Sequence, residues 1–192
     1  MDIIKMLLEN GADANTSNNK GETPLHISLR IGRDYTCARK LISMGADATR
    51  EDKDARTPLH SFFNDAISYF LRLHREYIDA DAQDTRGMTM SHWACWTSKS
   101  VPEEIAWAFT SSTSTTLDVH GKSFLHFAVE RGNIALVQYL LSSPQISEMS
   151  ASDFEGRTLL HYATASGRAV QMMDTIMRHM RIDVQATDNH GR

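Results

Sequence analysis

The chain has 192 residues, which is the length of one ordinary domain or of one short array of repeats. Apolar residues make up 41% of it and charged residues 23%, values that are typical of a soluble globular protein. The formal net charge of −4 argues against a nucleic-acid backbone or an anionic membrane surface as the main partner.

The cysteine content and the hydropathy pattern indicate where such a chain works. Cys37 and Cys95 are too few for a disulfide framework, and a chain of this length can bury a core without covalent cross-links. No apolar run approaches the roughly 18 residues that a membrane helix needs. The N-terminus also lacks the basic and apolar regions of a signal peptide. We therefore expect a reducing compartment, the cytoplasm, with the nucleus left open.

A four-residue motif that ends in histidine recurs along the chain. Thr23-Pro24-Leu25-His26 is followed by Thr57-Pro58-Leu59-His60, by a weaker copy at 89–92, and by copies at 123–126 and 158–161. Successive motif histidines are 34, 32, 34 and 35 residues apart. Five chance matches at so regular a spacing are improbable, so the pattern predicts an array of structural repeats.

A turn signal precedes each motif in constant register. A glycine lies two residues before the Thr or Ser in four copies, and Ala55 replaces it in the other; an Asp or Asn lies three residues earlier still. The glycines are Gly21, Gly87, Gly121 and Gly156, and the polar residues are Asn18, Asp52, Asp84, Asp118 and Asp153. Asp and Gly suit a tight turn, and Thr followed by Pro suits a helix start. Each repeat is thus predicted to be a turn followed by two antiparallel helices that are stabilised by stacking.

The fourth repeat shows the helical pattern most clearly. Leu125, Ala128 and Val129 form one apolar face of its first helix, which should end at Gly132-Asn133. A second set of apolar residues then recurs at helical spacing, namely Ile134, Val137, Leu140 and Leu141.

Together these motifs resemble the ankyrin repeat family, as do the Gly-Ala-Asp sequences at 11–13 and 45–47 that close two repeats. The resemblance covers essentially the whole chain. It implies an all-α ankyrin repeat solenoid of stacked helix-turn-helix units with β-turn fingers, about five full repeats plus partial terminal units. It also implies that the motif histidine bonds within and between repeats and ties neighbours together.

The repeat boundaries follow the motif. We expect a partial repeat at 1–17, ankyrin repeats at 18–51, 52–83, 84–117, 118–152 and 153–187, and the start of a further repeat at 188–192. Terminal repeats normally carry a polar outer face, and neither end has one. A piece of a longer array is therefore expected, with a truncated natural protein as the alternative.

The third repeat, 84–117, is the most divergent. Its motif keeps Thr89 and His92 but loses Pro and Leu, and its second helix is predicted to start at the capping-box sequence 100–103. Seven consecutive Ser and Thr residues, Thr110 to Thr116, are predicted to form an altered, mobile finger. A plain polar loop is favoured there, and phosphorylation stays open as an alternative.

The sequence carries no pattern that is typical of catalysis or metal binding. Five of the nine histidines share one repeat position, so they are spaced along the array and do not converge on one ion. No Cys or carboxylate gives His120 and His126 a zinc-like ligand set. Cys95 lies on the same helix face as His92, but without an orienting group, and is interpreted as a buried apolar residue. Phosphate-loop, nucleophile-elbow and dinucleotide motifs are absent, so we predict no enzyme, no cofactor and no metal.

The resemblance implies that another protein binds to the turn fingers and to the exposed side of the first helices, which form a concave face in this family. Interface energy concentrates in Trp, Tyr and Arg. The candidate binding residues chosen on these grounds are Arg56, Arg86, Met88, Trp96, Arg131 and Phe154. Trp96 is the first candidate anchor, with the alternative that it only fills space beside Trp93.

The function predicted from these observations is that of a protein–protein interaction module. The alternative is a substrate-recognition or regulatory ankyrin segment of a larger signalling protein or enzyme. The expected partner is a protein and neither a nucleic acid nor a membrane, and the array is expected to be a monomer or part of a longer chain.

Overall fold

A computed structural model describes residues 3–31, 36–61, 79–97, 109, 116–143, 146 and 152–192. The predicted helix start at 100–103 and residues 110–115 of the Ser/Thr run lie outside these ranges. The chain divides into two halves, Met1–Thr85 and Arg86–Arg192, which are described separately. Within the described ranges the regular structure is helical, apart from one isolated antiparallel bridge between Ser152 and Thr158. None of the helices in these ranges is long and apolar enough to cross a bilayer.

The described residues of the first half form three α-helices and one short 3-10 helix. The α-helices are α1 (Ile3–Glu9), α2 (Pro24–Ile31) and α3 (Thr36–Ser43), and the 3-10 helix is Pro58–Ser61. Helix α2 begins at Pro24, which is suited to the first helical position because no intrahelical partner is available there for a backbone N–H. Helix α2 packs against α3 and against the 3-10 helix, and α1 packs against α3.

The second half contains five described α-helices. They are α4 (Met90–Thr97), α5 (Phe124–Glu130), α6 (Ile134–Leu141), α7 (Leu159–Ala165) and α8 (Ala169–His179). Gly132 adopts a left-handed φ of 69° between α5 and α6, and the Oδ1 of Asn133 accepts a hydrogen bond from the Leu136 N–H at 3.2 Å. The predicted end of the first helix at Gly132-Asn133 is therefore confirmed.

The core of the second half lies between these helices. The predicted apolar faces of the fourth repeat are confirmed, since Leu125, Ala128, Val129, Val137, Leu140 and Leu141 are all buried and Ile134 is partly buried against them. They form one cluster with residues of α7 and α8, among them Leu159, Met172 and Ile176. Cys95 belongs to the same cluster, and burial raises the pKa of its thiol well above the usual value. This agrees with its interpretation as a small apolar residue.

The predicted turns form compact fingers that are closed by their own side chains. In the fourth repeat the Oδ1 of Asp118 accepts hydrogen bonds from the backbone N–H groups of His120 at 2.9 Å and Lys122 at 2.8 Å. Gly121 has a φ of 79°, which glycine adopts without steric cost. Ala55 takes the equivalent conformation with a φ of 55°, at a cost of roughly 1 kcal/mol for a residue with a Cβ.

Backbone hydrogen bonds join each finger to the preceding one. The donor is the backbone N–H of the residue that directly follows the Asp of one finger. The acceptor is a backbone carbonyl of the preceding finger, two residues after the Asp or Asn of that finger. In the first half these bonds are Lys53 to Lys20 at 3.0 Å and Thr85 to Asp54 at 2.9 Å; in the second half they are Val119 to Arg86 at 3.0 Å, Phe154 to His120 at 3.0 Å and Asn189 to Glu155 at 2.8 Å. The spacing of the fingers in each half is therefore fixed by main-chain atoms.

Candidate protein-binding surface

The motif histidines make hydrogen bonds that stabilise the fold. The Nδ1 of His26 accepts a hydrogen bond from the Thr23 N–H at 3.1 Å, and its Nε2 lies 2.9 Å from the carbonyl oxygen of Arg56 in the next finger. Because Nδ1 accepts, the neutral ring carries its proton on Nε2 and donates it to that carbonyl. His92 and His161 make the same pair of contacts, to the carbonyl oxygens of Lys122 at 3.2 Å and Arg192 at 2.9 Å. The expectation that this histidine bonds within and between repeats is confirmed at these positions.

Two of the motif histidines depart from this arrangement. The Nε2 of His60 lies 3.1 Å from the carbonyl oxygen of Ala82, which precedes the next finger. His126 keeps the local bond, because its Nδ1 accepts from the Ser123 N–H at 3.1 Å, but its buried Nε2 has no hydrogen-bond partner among the described residues. The His126 ring instead meets the ring of Tyr162 edge-on, with the centroids 5.2 Å apart.

The six candidate binding residues do not share one environment. Arg56, in the first half, pairs with Asp54 at 3.3 Å. The exposed guanidinium of Arg86 lies 4.7 Å from the centroid of the Trp93 ring. Met88 is only 4% exposed and belongs to the core, so we leave it out of the proposed surface because a buried side chain cannot contact a partner.

The structure brings two of the candidate residues, Trp96 and Arg131, into contact. The guanidinium carbon of Arg131 lies 3.7 Å from the centroid of the Trp96 ring, and its Nε donates to the Trp96 carbonyl oxygen at 2.8 Å. The Trp96 ring also packs edge-on against Phe127, with the centroids 5.6 Å apart. Trp96 therefore has a packing role in addition to its proposed role in binding.

A groove of about 650 Å³ opens beside this pair. We call it the Trp96 groove. Its described lining residues are Trp96, Thr97, Arg131, Gly132, Asn133, Gly167 and Arg168. Arg168 was not among the candidates from the sequence. The available signal was Gly167, which marks the turn before α8 as Gly132 marks the turn before α6, so that Arg168 and Asn133 occupy equivalent places.

The finger tips of the second half expose large apolar side chains. Phe154 is 67% exposed and Val119, on the preceding finger, is 54% exposed. The Phe154 ring lies directly over Gly121, where any Cβ would overlap it. Val119 is not among the six candidates from the sequence, because interface energy concentrates in Trp, Tyr and Arg and Val is under-represented among hot spots.

A second hollow, of about 430 Å³, lies between the fingers and the first helices of the last two repeats. Its charged groups are largely paired with one another. Lys122 pairs with Glu130 at 3.2 Å, and Arg192 pairs with Asp188 at 2.9 Å. Backbone N–H and side-chain hydrogen bonds from Arg192 hold the pKa of Asp188 at about 2. Among the described residues, no group of three or more His, Cys, Asp or Glu side chains is placed to hold a metal ion.

Comparison with known proteins gives the family. Residues 1–42 match a model described as ankyrin repeats in many copies, and residues 103–188 match one described as ankyrin repeats in three copies. The chain belongs to the ankyrin repeat family. Human Inversin is 27% identical over 197 residues, which cover 98% of this chain and 18% of Inversin. Alpha-latrotoxin-Lg1a of Latrodectus geometricus is 28% identical over 173 residues, which cover 87% of this chain and 10% of the toxin.

The fold agrees with a solved ankyrin structure. The crystal structure of the ankyrin repeat domain of Bcl-3, described as a unique member of the IkappaB protein family, superposes with a TM-score of 0.72 and 22% sequence identity. The match covers 99% of this chain and 83% of that one. The predicted ankyrin solenoid is therefore confirmed. The chain spans less than a fifth of the length of the curated relatives it matches.

Proposed function

We propose that this chain is a protein–protein interaction module whose partner contacts the finger tips and the exposed side of the first helices, the concave face in this family. The observation that carries the proposal is that structural contacts and exposed apolar surface come from different side chains. The Asp, Gly and His of the repeat motif are committed to finger and helix contacts, whereas Phe154 and Val119 project from the fingers at 67% and 54% exposure. Large apolar side chains on adjacent fingers are suited to burial against another protein.

The family supports this proposal in general terms. Protein binding is the usual role of ankyrin repeats, and the fold is a non-catalytic interaction module. We extend this to the present chain and propose that it has no activity of its own. Arg86, Trp96, Arg131 and Phe154 in the second half and Arg56 in the first are the proposed contact residues.

An affinity capture tests the proposal. The full chain is immobilised, incubated with lysate of the source cells, and the retained proteins are identified by mass spectrometry beside the variants Phe154→Ala, Trp96→Ala and Val170→Ala. Val170→Ala is the matched control, because Val170 is an apolar residue that is 82% exposed and lies on α8, the second helix of its repeat, outside the proposed surface. We expect a partner that the wild type and Val170→Ala retain, and that Phe154→Ala and Trp96→Ala each bind about tenfold more weakly.

The outcome against the proposal is a retained set that is the same for all four proteins. Thermal unfolding of each variant accompanies the capture, because Trp96 packs against Phe127 and its loss is expected to lower stability without unfolding the array. Phe154→Ala removes a side chain that is mostly exposed, so its effect on capture is the cleaner of the two.

A second candidate function is that of a substrate-recognition or regulatory ankyrin segment within a larger signalling protein or enzyme. The observation that favours it is the length of the curated relatives, of which the matching region is only 18% and 10%. Sequencing the transcript on both sides of this region distinguishes the two, because only the second function requires a further catalytic or signalling domain.

A further inference from the structure

We infer that the Trp96 groove binds the carboxylate of a Glu or Asp side chain in an acidic segment of the partner protein, with Arg131 and Arg168 as the recognising groups. This inference rests on the proposed function and names the chemistry of the partner at one part of the surface.

Arg131 is held in a geometry that suits a carboxylate. Its Nε donates to the Trp96 carbonyl oxygen at 2.8 Å while the guanidinium carbon lies over the indole, 3.7 Å from the ring centroid. A guanidinium has five N–H donors in one plane, so the edge that carries the two Nη groups is left to bind an anion end-on. Because the guanidinium is already held by this bond and by its contact with the ring, little side-chain entropy is lost when the anion binds.

The described residues that line the groove carry charge of one sign only. Arg131 and Arg168 both line it and both are exposed, and the seven described lining residues include no Asp or Glu. The neighbouring carboxylate, Glu130, is paired with Lys122 at 3.2 Å and lines the other hollow. A pair of guanidinium groups without a counter-charge in the groove is complementary to an acidic ligand.

The backbone adds to this preference. Asn133 and Arg168 stand directly before the first residues of α6 and α8, so the N-terminal ends of two helices lie at the groove. Helix N-termini carry a partial positive charge that favours anions. This is a supporting contribution to recognition by the two arginines.

The shape of the groove favours a peptide. Gly132 and Gly167 line it without side chains, and a Cβ built at Gly167 would meet nothing within 4 Å. The partner backbone therefore has room to lie close to the floor while the indole covers one wall. Two arginines do not make the extended basic surface that a nucleic acid requires, and the net charge of the chain is −4.

The probe for the test is a short fluorescein-labelled peptide in which glutamate alternates with leucine and serine, and its control has glutamine at every glutamate position. Each peptide is titrated into the full chain labelled with ¹⁵N at low ionic strength. The Arg131 Nε–H and Trp96 indole N–H resonances are followed by NMR, and the affinity by fluorescence anisotropy. The two resonances are assigned by their loss in Arg131→Lys and Trp96→Phe.

We expect the glutamate peptide to shift both resonances and the glutamine peptide to leave them unchanged. Arg131→Gln and Arg168→Gln should each weaken binding about tenfold, and added salt should weaken it further. Arg178→Gln is the matched control, because this arginine lies on α8 and pairs with Asp174. Gly167→Leu should abolish binding by filling the groove while both arginines remain.

Equal binding of the two peptides, unmoved Arg131 and Trp96 resonances, or wild-type affinity in Gly167→Leu would each overturn the inference. Its failure is distinct from that of the proposed function. A captured partner that is lost in Phe154→Ala but retained in Arg131→Gln and Arg168→Gln supports the proposed function and overturns the acidic ligand. Peptide binding without any captured partner supports carboxylate recognition and overturns the interaction module.

Discussion

His92 and His126 occupy the same position in neighbouring repeats and make the same local bond, but only His92 reaches the next finger. The Nδ1 atoms of both accept a backbone N–H at 3.1 Å, from Thr89 and from Ser123. The Nε2 of His92 lies 3.2 Å from the Lys122 carbonyl oxygen, whereas the buried Nε2 of His126 meets no acceptor in the part of the chain that the structure describes. The motif therefore determines the bond inside a repeat, while the bond between repeats depends on how the neighbour packs.

Replacing each histidine by alanine is the strongest way to expose this difference. His92→Ala should lower the free energy of unfolding by about 3 to 4 kcal/mol, because the bonds to Thr89 and the bond to the Lys122 carbonyl are lost and a cavity forms. His126→Ala should cost roughly 1 to 3 kcal/mol, because a cavity forms here as well but only the bonds to Ser123 are lost, and a buried donor without an acceptor among the described residues is removed with the ring. Urea unfolding of both variants measures the difference. Equal losses would show that His126 has an acceptor in solution.

The pH dependence of stability is the next largest effect. Burial, with a smaller contribution from Lys122, lowers the pKa of His126 from 6.5 to about 4, although Asp153 acts in the opposite direction. Between these values the unfolded chain binds a proton that the folded chain excludes. The free energy of unfolding should therefore fall by about 2 to 3 kcal/mol as the pH falls from about 6.5 to about 4. Urea unfolding at several pH values measures this slope, and His126→Ala should remove this share of it; an identical slope in the variant would contradict the assignment.

Tyr162→Phe should have the smallest effect of the three, and it tests the hydrogen bond made by the residue whose ring packs on His126. The Tyr162 hydroxyl donates to the Oδ2 of Asp153 at 2.6 Å, and its ring packs on His126. Burial raises the pKa of Asp153, but hydrogen bonds from Tyr162 and Arg157 outweigh it and hold that pKa below its usual value. The variant should lose about 1 kcal/mol, since the ring packing and the Arg157 bond remain. Carboxyl titration by NMR should show a higher pKa for Asp153, and an unchanged pKa would argue against this hydrogen bond.

Features that depend on neighbouring residues in the chain could be predicted from the sequence. The start of α2 at Pro24, the turn at Gly132 and the buried face of α5 each follow from local propensity and helical period, and each is confirmed. Ala55 marks the limit of such reasoning. Its side chain disfavours positive φ, yet the backbone bonds of the finger hold it there.

The candidate surface was less accessible from the sequence because it depends on stacking between repeats. Trp96 and Arg131 lie 35 residues apart in sequence and make contact only when α4 and α5 pack together. Met88 stands at a tip position in the motif register but turns into the core of a divergent repeat. Arg168 carries no motif signal of its own, and only the fold places it beside Arg131.

The bonds between fingers have a consequence for how such a protein changes over time. Each of them joins a backbone N–H to a backbone carbonyl, so the bond itself requires no particular side chain at the tip. Asn189 adds a bond of its own, from its Nδ2 to the Phe154 carbonyl oxygen at 3.2 Å. Lysine, threonine, valine, phenylalanine and asparagine all occupy the donating position, at Lys53, Thr85, Val119, Phe154 and Asn189. Substitutions at the tips can therefore change the side chains that the fingers present to a partner, while the residues that determine folding stay the same.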